Sequence, residues 1–194
     1  REIYTLDELV QAFDVKHIGT SGAIFDPEKL KWVNGMWLRN MDLDSYEKLV
    51  TPYIDQVVKG NFNRRQIAAI LQQRAQTLAE IPEMLTFFDN FPSYSNELFI
   101  NKKMKTDPTI ALKSLQASYE ALKNQEDWSE EALHAPLLAL PAKLEMKNGQ
   151  VLFPLRLAIT GMQFTPGGAI EISSILGKEE TLRRLELSIK QLQQ

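Results

Sequence analysis

Helix-start signals recur along this chain while strand signals hardly occur, and that imbalance narrows the fold more than any other feature. Thr5-Leu6-Asp7-Glu8 is a capping box, in which the threonine oxygen and the glutamate carboxylate satisfy backbone N–H groups that a first helical turn leaves unpaired. Asp26-Pro27-Glu28 sets an N-cap acid before a proline whose fixed φ suits the first helical position. Asp44 with Glu47 repeats the box. Asn63 opens a run predicted to continue through Glu80, with Ile67, Ile70, Leu71, Leu78 and Ile81 as its apolar stripe and Pro82 as its stop. Asp107-Pro108 starts a helix carrying Leu112, Leu115, Tyr119 and Leu122, and Ser129-Glu130-Glu131 starts another that Pro136 and Pro141 shorten or kink. Asn148-Gly149 reads as a stop, residues 151–160 as a short helix ended by Gly161, and Gly177 as a break between two closing helices. The last of these keeps Leu182, Leu185, Ile189 and Leu192 on one face. The expected fold class is all-α.

Residues 92–107, PSYSNELFINKKMKTD, combine turn residues with a basic cluster and form the expected seam. They divide the chain into two packed helical subdomains, residues 23–106 and 107–194, after a short N-terminal segment, residues 1–22. With 44% hydrophobic and 24% charged residues, a chain of 194 can build one large core or two small ones. No apolar run reaches membrane-spanning length and no secretory segment is apparent, so a cytoplasmic location without a membrane partner is expected. The absence of cysteine excludes disulfides and thiolate metal sites, and His17 and His134 lie too far apart to form a metal motif. With a net charge of -3 and a pI of about 5.5, contact with nucleic acid requires a local basic face.

Three features carry chemistry and each has a plainer alternative. Residues 154–177, PLRLAITGMQFTPGGAIEISSILG, place Thr-Gly and then Thr-Pro-Gly-Gly before a helix-like run. Periodicity favours a tight interhelical corner, and the sharper alternative is a backbone platform whose N–H groups and small side chains admit a ligand edge. Arg74 falls at helical spacing among Ile67, Leu71, Leu78 and Ile81, on the apolar face of the run predicted to reach Glu80. Snorkelling of its stem is the commoner outcome for such an arginine. His17-Ile18-Gly19-Thr20 and Lys102-Lys103-Met104-Lys105-Thr106 faintly match the ATP-handling HIGH and KMSKS signatures of class I aminoacyl-tRNA synthetases. Both are rejected, because those signatures need a parallel sheet and the residues between them here read as helices. His17 is then a surface or packing histidine, and the lysine cluster a solvated loop with phosphate contact as the lesser alternative.

A longer, ordered match lies elsewhere. Residues 25–39, FDPEKLKWVNGMWLR, resemble the FDxxKLxWxNxxYIR segment that follows the catalytic core of bacterial glutamyl-tRNA synthetases. Trp128, Pro154-Leu155-Arg156, Thr160-Gly161, Thr165-Pro166-Gly167 and Ile175-Leu176-Gly177-Lys178-Glu179 follow in the order and near the spacing of that family's C-terminal part. The resemblance implies an all-helical anticodon-binding body of two subdomains, with residues 1–22 as the end of a connecting region and the whole as an excised C-terminal fragment. It implies that Arg156, Thr165, Pro166, Gly167 and Ala169 line the surface receiving splayed anticodon bases, and that Arg74 reads the third anticodon base. The implied partner is tRNA(Glu), bound by a monomer. The implied full-length enzyme attaches glutamate to tRNA(Glu) using ATP and magnesium, whereas this part holds no catalytic residue, metal or cofactor.

Unpaired RNA bases present their Watson–Crick edges, which backbone beside glycine can approach closely, and arginine adds a planar fork of donors. Without the resemblance, Arg156 reads equally as a solvated helix-surface arginine. Gly167 is expected at positive φ, Trp32 as a core indole and Asn34 as a hydrogen-bonding spacer between helices. Three positions depart from the family pattern. Trp37 replaces a tyrosine, Pro136 and Leu138 stand where relatives can carry an arginine, and Gly168 is extra beside the first anticodon base. Two other function classes remain open: a helical protein-interaction scaffold whose loops are only corners, and an independent enzyme using His17 or His134, neither of which has a nucleophile or metal partner nearby in sequence.

Overall fold

The computed structural model describes residues 2–17, 19, 22 and 24–194. Among these the chain is helical throughout, the one extended pairing being an isolated antiparallel bridge between Asn101 and Thr106. The helices are α1 (Leu6–Ala12), α2 (Pro27–Asn40), α3 (Leu43–Val57), α4 (Arg64–Gln72), α5 (Ile81–Met84), α6 (Pro108–Leu122), α7 (Glu130–Leu138), α8 (Leu140–Leu144), α9 (Asn148–Thr160) and α10 (Ala169–Leu192), the last kinked at Gly177, whose φ of +77 and ψ of 177 break it in two as expected. The all-α expectation is met. Ile18 and Thr20 of the His17 motif lie outside the described residues, as does Ala23 at the expected first domain boundary.

Local capping explains the starts that were predicted. Thr5 and Glu8 exchange both capping-box hydrogen bonds, Asp26 accepts from Glu28 N and Lys29 N, Asp107 from Ile110 N, and Ser129 from Ala132 N. Other expectations need correction. The cap of α3 is Asp42, which accepts from Ser45 N at 2.9 Å; Asp44 and Glu47 instead hold Arg65 Nη1 at 2.6 and 2.9 Å. Asn148-Gly149 begins α9 rather than stopping a helix, because Gln150 reaches back to accept from Lys147 N at 3.0 Å. The run from Asn63 ends at Gln72, eight residues before Glu80, and Pro82 lies in the first turn of α5 instead of closing a helix.

Packing follows the helix order. α3 lies on α4 and α5, while α6, α9 and α10 pack on one another, α7 lies on α6 and α10, and α10 also reaches α4. Residues 92–107 are a packed segment and not a slack linker: Phe99 is buried, Tyr94 hydrogen-bonds Ser188, and the Gln191 amide donates to Tyr94 O at 2.8 Å and Asn96 Oδ1 at 2.7 Å. The strongest tie is Arg184, only 1% exposed on α10. Its guanidinium donates to the carbonyls of Phe87, Phe88 and Ile159 at 2.7 to 2.9 Å, pairs with Glu180, and stands 5.0 Å from the Phe91 ring centroid.

The N-terminal part is apolar but uncovered. α1 buries no residue, and Leu6, Val10, Phe13, Val15, Ile24, Phe25 and Leu30 are all exposed. Trp32 is 37% exposed and Trp37 42%, so Trp32 is not the core indole the sequence suggested. The N-terminal segment meets α2 through the Glu2 carboxylate, which accepts from Lys29 Nζ at 2.9 Å. Asn34 behaves as expected, donating to Gln76 O across from α2.

Candidate functional site

The Thr-Gly and Thr-Pro-Gly-Gly stretch forms a corner whose backbone is fixed from inside. α9 ends at Gly161, which adopts φ +66, with its N–H bonded to Leu157 O at 2.7 Å. A Cβ there would stand 2.6 Å from Pro92 Cγ, so two separate conditions select glycine. Arg156, two residues into the motif and half-buried on α9, turns its guanidinium onto the following loop. Nη1 donates to Thr165 Oγ1 at 2.6 Å and Nη2 to Gln163 O at 2.8 Å, while the Thr165 hydroxyl donates to Gly167 O at 2.8 Å. The Phe153 ring lies 5.7 Å from the guanidinium carbon. The arginine therefore organises the loop as well as facing the cavity beside it.

Gly167 serves packing rather than backbone conformation. Positive φ occurs at Gly161 and Gly177 among the described glycines, not at Gly167 as the sequence suggested. A Cβ on Gly167 would meet Ile70 at 3.2 Å and Ile172 at 3.3 Å, so the loop rests directly on α4 and α10. Pro166 and Ala169 are buried beneath the loop. Gly168 is the N-cap of α10 and offers no side-chain cap to its first turn.

Arg74 reaches the same place from another direction. It is exposed, in the turn that follows α4, and not on the apolar face of a long helix. That turn is held on three sides. The Gln72 amide donates to Leu38 O and Met41 O at 3.2 and 2.8 Å, Asn34 donates to Gln76 O, and the Glu80 carboxylate accepts from Gln76 N and Thr77 N. Gly35 permits the close approach, since a Cβ on it would stand 3.2 Å from Gln76 Cα.

Together these parts surround one open cavity of about 1040 Å³. Arg74, Arg156, Thr165, Gly167 and Gly168 line it; Pro166 and Ala169 support the wall without lining it. Lys103 and Met104 line it too, although the sequence favoured a solvated loop there and held phosphate contact as the lesser alternative. Their loop is pinned by Asn101 Oδ1 accepting from Met104 N at 3.0 Å and by Gln150 donating to Lys105 O at 3.0 Å. Burial, and next the nearby Arg74 cation, pull the Arg156 guanidinium down from its ordinary value. Three cations thus converge on one concavity of a chain whose net charge is -3. Glu80 and Glu83 also line the wall, Glu80 with its carboxylate already engaged by backbone. His17 pairs with Asp14 and His134 with Glu130, both away from the cavity.

Comparison with known proteins shows the family. A family model described as "Anticodon binding domain" matches residues 39–189. A glutamate–tRNA ligase of Clostridium tetani is 44% identical over 98% of this chain and 39% of its own length. The corresponding ligase of Clostridium botulinum is 42% identical over 99% of this chain and 40% of its own. The chain therefore spans about two fifths of the length of the curated relatives it matches. A crystal structure of a glutamate tRNA ligase from Elizabethkingia meningosepticum superposes with a TM-score of 0.75 at 26% identity, covering 99% of this chain and 38% of that one. With the matched residues spanning α3 to α10 and the cavity within them, the chain belongs to the anticodon-binding domain family.

Proposed function

We propose that this chain recognises the anticodon of tRNA(Glu), receiving splayed bases in the cavity between the Arg74 turn and the residues 161–168 loop. The observation that carries this is the convergence of Arg74 and of the loop braced by Arg156 on one open concavity, each presented from backbone fixed by hydrogen bonds. An unpaired base needs groups that meet its edge without rearranging, and a braced loop provides them at little entropic cost. Arg74, Arg156, Thr165 and Gly167 face the RNA in this proposal, while Pro166 and Ala169 hold the loop from beneath. Further support comes from the glutamate–tRNA ligases to which the chain is similar along nearly its whole length.

The division into residues 1–22, 23–106 and 107–194 belongs to the same proposal, supported by the packing of α3 on α4 and α5 and of α6 on α9 and α10, with α10 and residues 92–106 joining the two sets. So do a cytoplasmic, monomeric setting and a whole enzyme that joins glutamate to tRNA(Glu) with ATP and magnesium. Among the described residues no helix is long and apolar enough to cross a membrane. Among the described residues no group of three or more His, Asp or Glu side chains is placed to hold a metal ion.

Titrating the chain with an RNA stem-loop carrying the tRNA(Glu) anticodon, at several salt concentrations, tests the proposal. Binding should weaken as salt rises, because cation–phosphate contacts release counterions. Absent or salt-independent binding would favour a protein-interaction scaffold.

A further inference from the structure

Phe164 is out of place as a core residue and well placed as a contact. Its ring is 84% exposed, takes part in none of the aromatic pairs among the described residues, and is not packed on the core. Yet it lines the cavity that holds Arg74, Lys103 and Arg156. Its backbone is fixed on both sides by one guanidinium, since Arg156 donates to the Gln163 carbonyl just before it and to the Thr165 hydroxyl just after it. A phenyl ring displayed from braced backbone loses little freedom when something settles on it.

We infer that Phe164 is a stacking platform for an unpaired base whose edge the cavity's polar groups receive. A base leaving its own stack exposes two π faces to water, and covering one with an aromatic ring recovers much of that loss whatever the base. The cations beside the ring favour a nucleotide as the occupant, with phosphates for the charges and a flat face for the phenyl. This inference rests on the proposed anticodon recognition and adds a positioning residue to it. Arg74 discriminates the edge, and Phe164 holds the plane.

The test uses the whole chain and an RNA stem-loop carrying the tRNA(Glu) anticodon, with a fluorescent base analogue at each anticodon position in turn. Phe164→Leu should keep the melting temperature of the parent, because the ring is barely buried. It should weaken stem-loop binding by about tenfold and abolish the fluorescence change at one anticodon position. Phe164→Tyr, which keeps the π face, should retain both. Unchanged affinity and fluorescence in Phe164→Leu overturn the inference while the proposed function stands. If the parent chain itself fails to bind the stem-loop, the proposed function falls and the inference with it.

Discussion

At Arg74 the chain offers donors and no acceptor, and under the proposed function this asymmetry sets what a base must present. The Watson–Crick edge of C has acceptors at O2 and N3, whereas G has donors at N1 and N2 that would face the guanidinium unpaired. Glutamate anticodons end in C and glutamine anticodons in G, so such a reader separates two otherwise similar tRNAs. Under the proposed function, Arg74→Gln should shrink the C-over-G preference by about 1 to 3 kcal/mol, with only a modest loss in C binding. Competition between stem-loops differing in that base measures it, and an unchanged ratio would make Arg74 a solvated turn residue. The resemblance to a family segment singled out Arg74, which does line the cavity, but the apolar-face position that periodicity gave it was wrong. The apolar spacing that surrounds it continues past the point where the helix stops, because Ala75 and Leu78 turn inward from an irregular segment and Ile81 from the start of α5. Lys103 was legible only as the lesser reading of its lysine cluster, and Phe164 was not legible at all, since a lone aromatic in a loop has no period to mark it.

Among the elements, helix starts were easier to read than helix ends. A cap such as Asp26 or Ser129 acts on N–H groups two or three residues away, so its signal lies within the local sequence. The end of α4 depends on carbonyls of Leu38 and Met41, more than thirty positions earlier, which draw the Gln72 amide away. Gly161 was legible because a left-handed helix end is a local demand, although its contact with Pro92 was not. Gly161→Ala should therefore destabilise the chain by about 2 kcal/mol or more, through strain at positive φ alone before the crowding of Pro92 is added. The urea midpoint should fall while Gly168→Ala, which meets only the mobile end of Glu171, leaves it nearly unchanged. Equal midpoints for the two variants would show that the corner relaxes freely. α9 would then be ended by some other contact.

On the scale of the whole molecule, the all-α class and the family were legible, while the tie between the halves was not. Arg184 stands in an Arg183-Arg184 pair within a run of charged residues, and charge ordinarily marks surface. Its neighbour obeys: Arg183 pairs with Glu180 in the open. Arg184 instead points inward, where burial draws its guanidinium down from the ordinary value and the Glu180 carboxylate opposes that. Arg184→Met would fill similar volume but leave the carbonyls of Phe87, Phe88 and Ile159 without their donor, for a loss of about 3 kcal/mol or more. The manner of that loss is as informative as its size. The three carbonyls lie 97, 96 and 25 positions from Arg184 along the chain, so the guanidinium meets all of them only after α9, α10 and residues 87–91 have come together. A latch that closes last is the first to be felt on opening. In rapid-mixing experiments Arg184→Met should leave the refolding limb almost where it was and raise the unfolding limb, so that Arg184 sets how long the native anticodon-binding surface persists rather than how fast it forms.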